Sequence, residues 1–178
     1  LANYDLSEKG VDVIIHSGSS YTGVLVIGRD QHIFFREIDK GNDVFIREIM
    51  SNKKLNYSEA SDLVLENGVN YSNKIQNDQL SETAGIEMTD RNIINDLCDD
   101  IRKTLRYYLK NNGNTFFKRF FISGGMAHLK GYKEQIEDSL KISTENLNPF
   151  NKIETDNFPD NYMQYTIAAG LAIRGLIK

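Results

Sequence analysis

The sequence predicts a mixed α/β fold, and three observations carry that prediction. Near the start, three β-rich apolar runs follow one another across short polar gaps. The apolar spacing then changes from strand-like to helical. Further along, strand-like and helix-like stretches alternate, so hairpins, helices and strand–helix units share one chain.

The first run is Val11 to His16, followed by Ser17-Gly18-Ser19-Ser20, and the second is Gly23 to Gly28. Gly28-Arg29-Asp30 reads as a tight turn and His32 to Ile38 as a third strand, which predicts an antiparallel meander. Between Gly41 and Met50, Val44, Phe45, Ile49 and Met50 follow helical spacing. Ser58 is placed as the N-cap of the next helix, which should stop at Asn67-Gly68, where glycine supplies the left-handed residue after a helix end. Residues 68–86 are polar and Asn-rich, an irregular connection. The longest helix carries one apolar stripe: Ile93, Ile94, Leu97, Cys98, Ile101, Leu105, Tyr108 and Leu109. Thr89 or Asp90 would cap it, and Asn111-Asn112-Gly113 would end it. Phe116 to Ile122 is a buried strand, His128 to Leu140 a helix, and Lys141 to Leu147 a short strand. Asn148-Pro149-Phe150 then breaks regular structure, and Tyr165 to Ile177 forms a closing apolar helix.

Composition narrows the function classes. The 178 residues are 40% hydrophobic and 26% charged, which excludes wholesale disorder. A formal net charge of -4 argues against a chain that coats nucleic acid. No apolar run approaches a membrane span, and Leu1 to Glu8 lacks the layout of a secretory signal. The absence of a leading Met reads as a chain cut from something longer. The lone Cys98 points to a reducing compartment and to a small core residue. His16, His32 and His128 are too widely spaced for a metal site, and no phosphate loop of the Gly-x-x-x-x-Gly-Lys-Ser/Thr type exists.

Two glycine turns are the candidate chemistry, each following a buried strand. Gly18-Ser19-Ser20-Tyr21-Thr22 sets backbone N–H groups and hydroxyls in a hairpin turn that could cradle a phosphate. Ser123-Gly124-Gly125-Met126-Ala127 lies between strand and helix, where glycine lets the backbone approach a flat ligand. Alone, each turn is also consistent with simple chain reversal.

With those residues in view, the chain resembles the second half of an actin-like ATPase and, within that superfamily, the PilM family of type IV pilus assembly proteins. His16 to Thr22 corresponds to the second phosphate loop, Asp-x-Gly-x-x-x-Thr, and Phe35 to Gly41 looks like Phe-x-Arg-x-Ile-x-x-Gly. Leu55 to Leu63 is similar to the helix that reaches the nucleoside, and Phe121 to Ala127 to the adenosine loop. Asp100 to Tyr108 and Asn148-Pro149-Phe150 resemble stretches that set PilM apart from the division protein FtsA. His16 stands where the superfamily has its phosphate-loop Asp, and Ser61 and Val64 stand where the nucleoside helix has Glu and Lys.

The resemblance implies an actin-like, ribonuclease H-like second domain with a small α-rich inserted subdomain. Residues 1–10 would be the tail of a missing first half, 11–40 and 89–178 the sheet-and-helix subdomain, and 41–88 the helical one. Gly18, Ser19, Ser20 and Thr22 would bind phosphate; Glu59, Asp62, Gly124, Gly125 and Met126 would reach the nucleoside. No catalytic or metal-ligating residue is assigned, and ATP with Mg is the expected cofactor of the full-length parent. The implied function is a cytoplasmic scaffold at the inner face of the membrane, with no nucleic acid. It would bind the cytoplasmic tail of a PilN-like membrane protein and other pilus assembly proteins, with self-association left open. An FtsA-like division protein, a sugar or acyl kinase, and an unrelated α/β domain are the alternatives.

Overall fold

Period-two alternation divides the first strand between two faces of a sheet. In β1 (Val11–Ser17), Val13 and Ile15 enter the main core, whereas Ile14 and His16 line the opposite face. In the computed structural model, which describes residues 4–28, 32–70, 93–113, 115–154, 157 and 159–176, β1 is the central strand. It pairs antiparallel with β2 (Thr22–Gly28), which pairs antiparallel with β3 (Ile33–Ile38), giving the expected meander. On its other side β1 pairs parallel with β4 (Phe117–Ser123), which pairs parallel with the short β5 (Glu145–Asn146). The order is therefore β3-β2-β1-β4-β5.

Among the described residues between β3 and β4 the chain runs through α1 (Asn42–Lys53), α2 (Tyr57–Asn67) and α3 (Ile93–Asn111). The cap of α2 is Asn56, not Ser58. Its side chain accepts from the Glu59 N–H at 3.0 Å, and the Glu59 carboxylate accepts from the Asn56 N–H at 3.0 Å. That reciprocal pair satisfies two orphan donors at once, which outcompetes a lone serine two residues on. Gly68 does end α2, at φ +69. A Cβ there would collide with the Lys130 carbonyl, which accepts from the Val69 N–H.

The stripe on α3 buries Ile94, Leu97, Cys98, Ile101 and Leu105. They form one core with Phe45, Ile46, Ile49 and Val64 from α1 and α2, and with Val24, Ile122, Tyr132 and Ile136. The helical pair and the sheet thus share a single apolar interior.

Past β4, the predicted continuous helix from His128 is interrupted. A 3-10 turn covers Gly125–His128, Gly131 takes φ +79, and α4 runs only over Tyr132–Leu140. Leu129 is extended, which ends the turn, and the left-handed Gly131 then opens α4. The predicted strand at 141–147 contracts to two residues, because Lys141 caps α4 in the left-handed region. The closing helix α5 spans Thr166–Leu176. The predicted turn at Arg29-Asp30, most of the 68–86 connection and the caps at Thr89 and Asp90 lie outside the described residues.

One buried ion pair fixes the N-terminal segment to the sheet. Arg119 on β4 donates Nε to Asp12 Oδ1 at 3.0 Å and Nη2 to Asp12 Oδ2 at 2.6 Å. Ser7 adds its N–H and hydroxyl to the same carboxylate, and Arg119 also donates to the Asp5 carbonyl. Burial alone would raise the Asp12 carboxyl, but the Arg119 and Ser7 hydrogen bonds hold it below its ordinary range. Tyr4 stacks edge-on against Phe121, and its hydroxyl accepts from the Asn148 N–H. Arg119→Met, which strands a carboxylate whose side chain is 3% exposed, should cost about 3 kcal/mol in chemical denaturation. The double variant Asp12→Leu/Arg119→Met should recover most of that loss.

Candidate functional site

Parallel pairing of β1 with β4 brings the two glycine turns together. His16 pairs with Ser123, so both strands end at the same edge of the sheet and both turns emerge there. This is the carboxyl edge of parallel strands, where open α/β sheets bind ligands. Gly124 takes φ +91, and a Cβ on it would collide with the Ser17 carbonyl. Its N–H donates to the Met163 carbonyl at 3.1 Å. The contact between the turns is thus backbone against backbone. Gly125, beside it, is exposed with open space where a side chain would go.

The hairpin turn is held from below and from the side. Gly18 N–H donates to the Tyr21 carbonyl at 2.9 Å, closing a four-residue loop. Thr22 is fully buried and donates its hydroxyl to the Lys40 carbonyl at 2.8 Å, with Ser17 Oγ 3.2 Å away. Ser17 Oγ in turn lies 2.5 Å from the buried Tyr132 hydroxyl, which burial pushes well above the usual phenol range. The start of α1 grips the turn laterally: Asn42 N–H donates to the Gly18 carbonyl and Asp43 N–H to the Ser19 carbonyl. Gly41 is required here, because a Cβ would collide with the Ser19 carbonyl.

Of the residues expected to bind phosphate, Ser19 and Ser20 are exposed on the turn and Thr22 faces the interior. The serine hydroxyls donate to the Asp43 carboxylate at 2.8 and 3.3 Å, and Tyr57 donates to it at 3.3 Å. Among the expected nucleoside residues, Gly124 is buried against β1 and Met126 sits in the core. Glu59 is engaged in the α2 capping box, and Asp62 is exposed. Val64 is buried in the core. The described hydrogen bonds tie α2 to the turn through Tyr57 and Asp43, two residues the sequence reading did not single out. Their sequence signal is slight: an acidic residue two places after Gly41, in the first turn of a helix.

His16 joins the turns to α5. Thr166 Oγ1 donates to the Met163 carbonyl at 2.8 Å, and Ser123 Oγ donates to Thr166 Oγ1 at 2.7 Å. His16 Nδ1 lies 3.1 Å from Ser123 Oγ. Ser123 Oγ also lies 3.3 Å from the Met163 carbonyl. Burial holds His16 below its usual 6.5, hence neutral, and does the same to His128. Beyond His16, the second face of the sheet and α5 bound an apolar cleft of about 270 Å³, walled by Ile14, Leu25, Phe35, Phe121, Ile167 and Ile173. Cys98 is buried, its thiol pushed up to about 11 by burial, which keeps it inert. Among the described residues, no group of three or more His, Cys, Asp or Glu gathers to hold a metal, and no helix is long and apolar enough to cross a membrane.

Comparison with known proteins places this geometry in a family. The family model described as type IV pilus assembly protein PilM matches residues 3–176, and the chain belongs to that family. The expectation of a C-terminal half alone is corrected by this match, which runs through nearly the whole chain, opening segment included. No curated protein matches it. Among solved structures, the PilM-PilN type IV pilus biogenesis complex is similar at TM-score 0.74 and 18% identity, over 96% of this chain and 47% of that one. MreB 5 of Spiroplasma citri bound to AMPPNP follows at TM-score 0.60 and 14% identity, over 92% of this chain and 52% of its own. The archaeal actin homolog Ta0583 in complex with ADP gives TM-score 0.58 and 16% identity, over 98% and 52%. The chain thus spans about half the length of these proteins. At such identities the likeness establishes the mixed α/β fold of the actin superfamily.

Two outcomes test the geometry. Gly124→Ala should lower stability by about 3 kcal/mol, through a strained φ and the Ser17 clash, whereas Gly125→Ala should leave the melting temperature nearly unchanged. Because the unfolded chain protonates before the folded His16 and His128, their contribution is intact above pH 6.5 and is lost as pH falls below it. His16→Gln/His128→Gln should therefore flatten the fall in melting temperature between pH 6.5 and about 5.

Proposed function

We propose that this chain, as a member of the PilM family, is an actin-like scaffold component of the type IV pilus assembly machinery, working at the cytoplasmic face of the inner membrane. Its partners on this reading are the cytoplasmic tail of a PilN-type membrane protein and other pilus assembly proteins. Similarity to a structure that is itself a PilM-PilN complex supports the first of these. The family match favours this role over an FtsA-like division protein or a sugar or acyl kinase.

The observation that carries the reading is the contact of Gly124 with Ser17, which sets two glycine turns side by side at the carboxyl edge of parallel strands. We take them as the phosphate and adenosine turns of a nucleotide half-cleft, in an actin-like second-domain arrangement with α1 and α2 forming the inserted helical part. The donor chemistry fits such a ligand. Ser19 and Ser20 would turn their hydroxyls from Asp43 to phosphate, and the open backbone at Gly125 offers a flat approach for a base. Glu59 and Asp62 are exposed on α2, on the side we assign to the ribose. ATP with Mg is the proposed ligand, in keeping with relatives solved with ADP and AMPPNP.

Bound nucleotide would favour one conformation of the scaffold over another through its differential affinity for the two. His16 is neutral and committed to Ser123, so the end of β1 supplies no carboxylate for orienting water. Hydrolysis is accordingly no part of the proposal.

Thermal melting tests the reading, since a ligand of the folded state raises its stability. ATP with Mg²⁺ at a hundred times its Kd stabilises by about 2.7 kcal/mol, a rise of roughly 5–10 °C for a chain of this size. A peptide of a PilN-type tail should also raise the melting temperature. Gly125→Val, which fills the open approach without disturbing the fold, should abolish the nucleotide shift and leave the peptide shift intact. No shift with millimolar ATP would overturn the nucleotide half of the reading.

A further inference from the structure

β3 is an edge of the sheet: β2 lies on one side and, among the described residues, no strand lies on the other. The hairpin before it decides which of its backbone groups face outward. The bond from the Gly18 N–H to the Tyr21 carbonyl makes His16–Gly23 and Ile14–Leu25 the hydrogen-bonded pairs of β1 and β2. Val24 and Val26 therefore turn their backbone groups toward Arg36 and Phe34 on β3. Ile33, Phe35 and Glu37 are left with their N–H and C=O groups directed away from the sheet. Their side chains share the second face, where Ile33 and Phe35 are each 57% exposed. Natural edge strands are commonly blunted by proline, lysine or a bulge. β3 contains no proline or lysine, and its register with β2 is unbroken.

We infer that β3 joins two copies of this chain edge to edge and antiparallel, about a two-fold axis at Phe35. The register follows from the strand itself. A two-fold axis normal to the sheet keeps like faces together, so residues of the same parity stand opposite each other. With Phe35 opposite the copy's Phe35, Ile33 and Glu37 face each other at both ends. Every outward N–H and C=O of these three residues is then paired. Centring the axis on Phe34 or Arg36 leaves one of the three without a partner, and Arg36 at the centre would oppose its own charge. The side chains agree with the Phe35 register. Two Phe35 rings meet on the second face, and on the other face Arg36 lies opposite the copy's Phe34, a cation–π pair made twice. Phe34 packs on Tyr107 and Tyr108 of α3, with ring centroids 6.2 and 5.4 Å apart. Tyr107 is itself 56% exposed, so the apolar strip covered by the copy extends onto α3.

Sedimentation equilibrium and cysteine cross-linking test the inference. The unaltered protein should form a dimer that dissociates on dilution. Phe35→Lys sets two like charges opposite each other at an exposed position, and should weaken the dimer at least about tenfold. Phe35→Cys should cross-link under mild oxidation, because opposed residues have Cα atoms about 5.5 Å apart. Ile33→Cys should not, since it stands four residues along from its own equivalent, roughly 14 Å away. The buried Cys98 is common to all these proteins and gives the background. The cysteine pair decides the register even where Phe35→Lys perturbs the fold. A monomer at every concentration overturns the inference, as does a dimer that Phe35→Lys leaves intact in a folded protein. A dimer that cross-links at Ile33→Cys and not at Phe35→Cys overturns it too.

Discussion

The parallel pairing of β1 with β4 is the constraint on which the rest of the structure depends. Without it, the hairpin turn after Ser17 and the turn after Ser123 would be two unrelated loops, far apart in sequence. With it, they meet so closely that only hydrogen fits at Gly124. The pairing is itself over-determined. Ile15 and Ile122 bury side by side, Asp12 clasps Arg119 across the strands, and His16 reaches Ser123 at the far end. Each link is of a different kind, apolar, ionic and hydrogen-bonded.

Around that pairing, polar groups are satisfied in a nested way. The innermost shell is Ser17, Thr22 and Tyr132, closed off from water and bonded to one another and to the Lys40 carbonyl. The next is α1, whose first N–H groups hold the carbonyls of the turn. The outermost layer is the exposed Ser19, Ser20 and Gly125 with the half-buried Asp43. A site built this way has a rigid floor and a small adjustable rim, which suits recognition by charge and shape rather than by large closure of the turn itself.

Much of the fold was legible in the sequence because its signals were local. Three apolar runs with short gaps wrote the meander, and the stripe from Ile93 to Leu109 wrote α3. Gly68 marked the end of α2, where the chain takes a positive φ and leaves no room for a Cβ against the Lys130 carbonyl. What sequence reasoning missed depended on partners elsewhere. Asn56 outranked Ser58 because Glu59 reciprocated, and the helix expected from His128 is broken by the extended Leu129 and the left-handed Gly131. For the candidate site, the glycines were visible and the company they keep was not. Thr22 turned inward because Lys40 offers it a carbonyl, and Asp43 arrived at the turn through the geometry of α1 rather than through any spacing in the chain.

The hydrogen bonds among His16, Ser123, Thr166 and the Met163 carbonyl join the ends of β1 and β4 to the residues that open α5. The Gly124 N–H donates to that same carbonyl, so the segment ahead of α5 is held at the point where the two glycine turns meet. The last described helix is therefore tethered to the candidate site itself, and a displacement of that helix along the sheet would pull directly on the turn after β4.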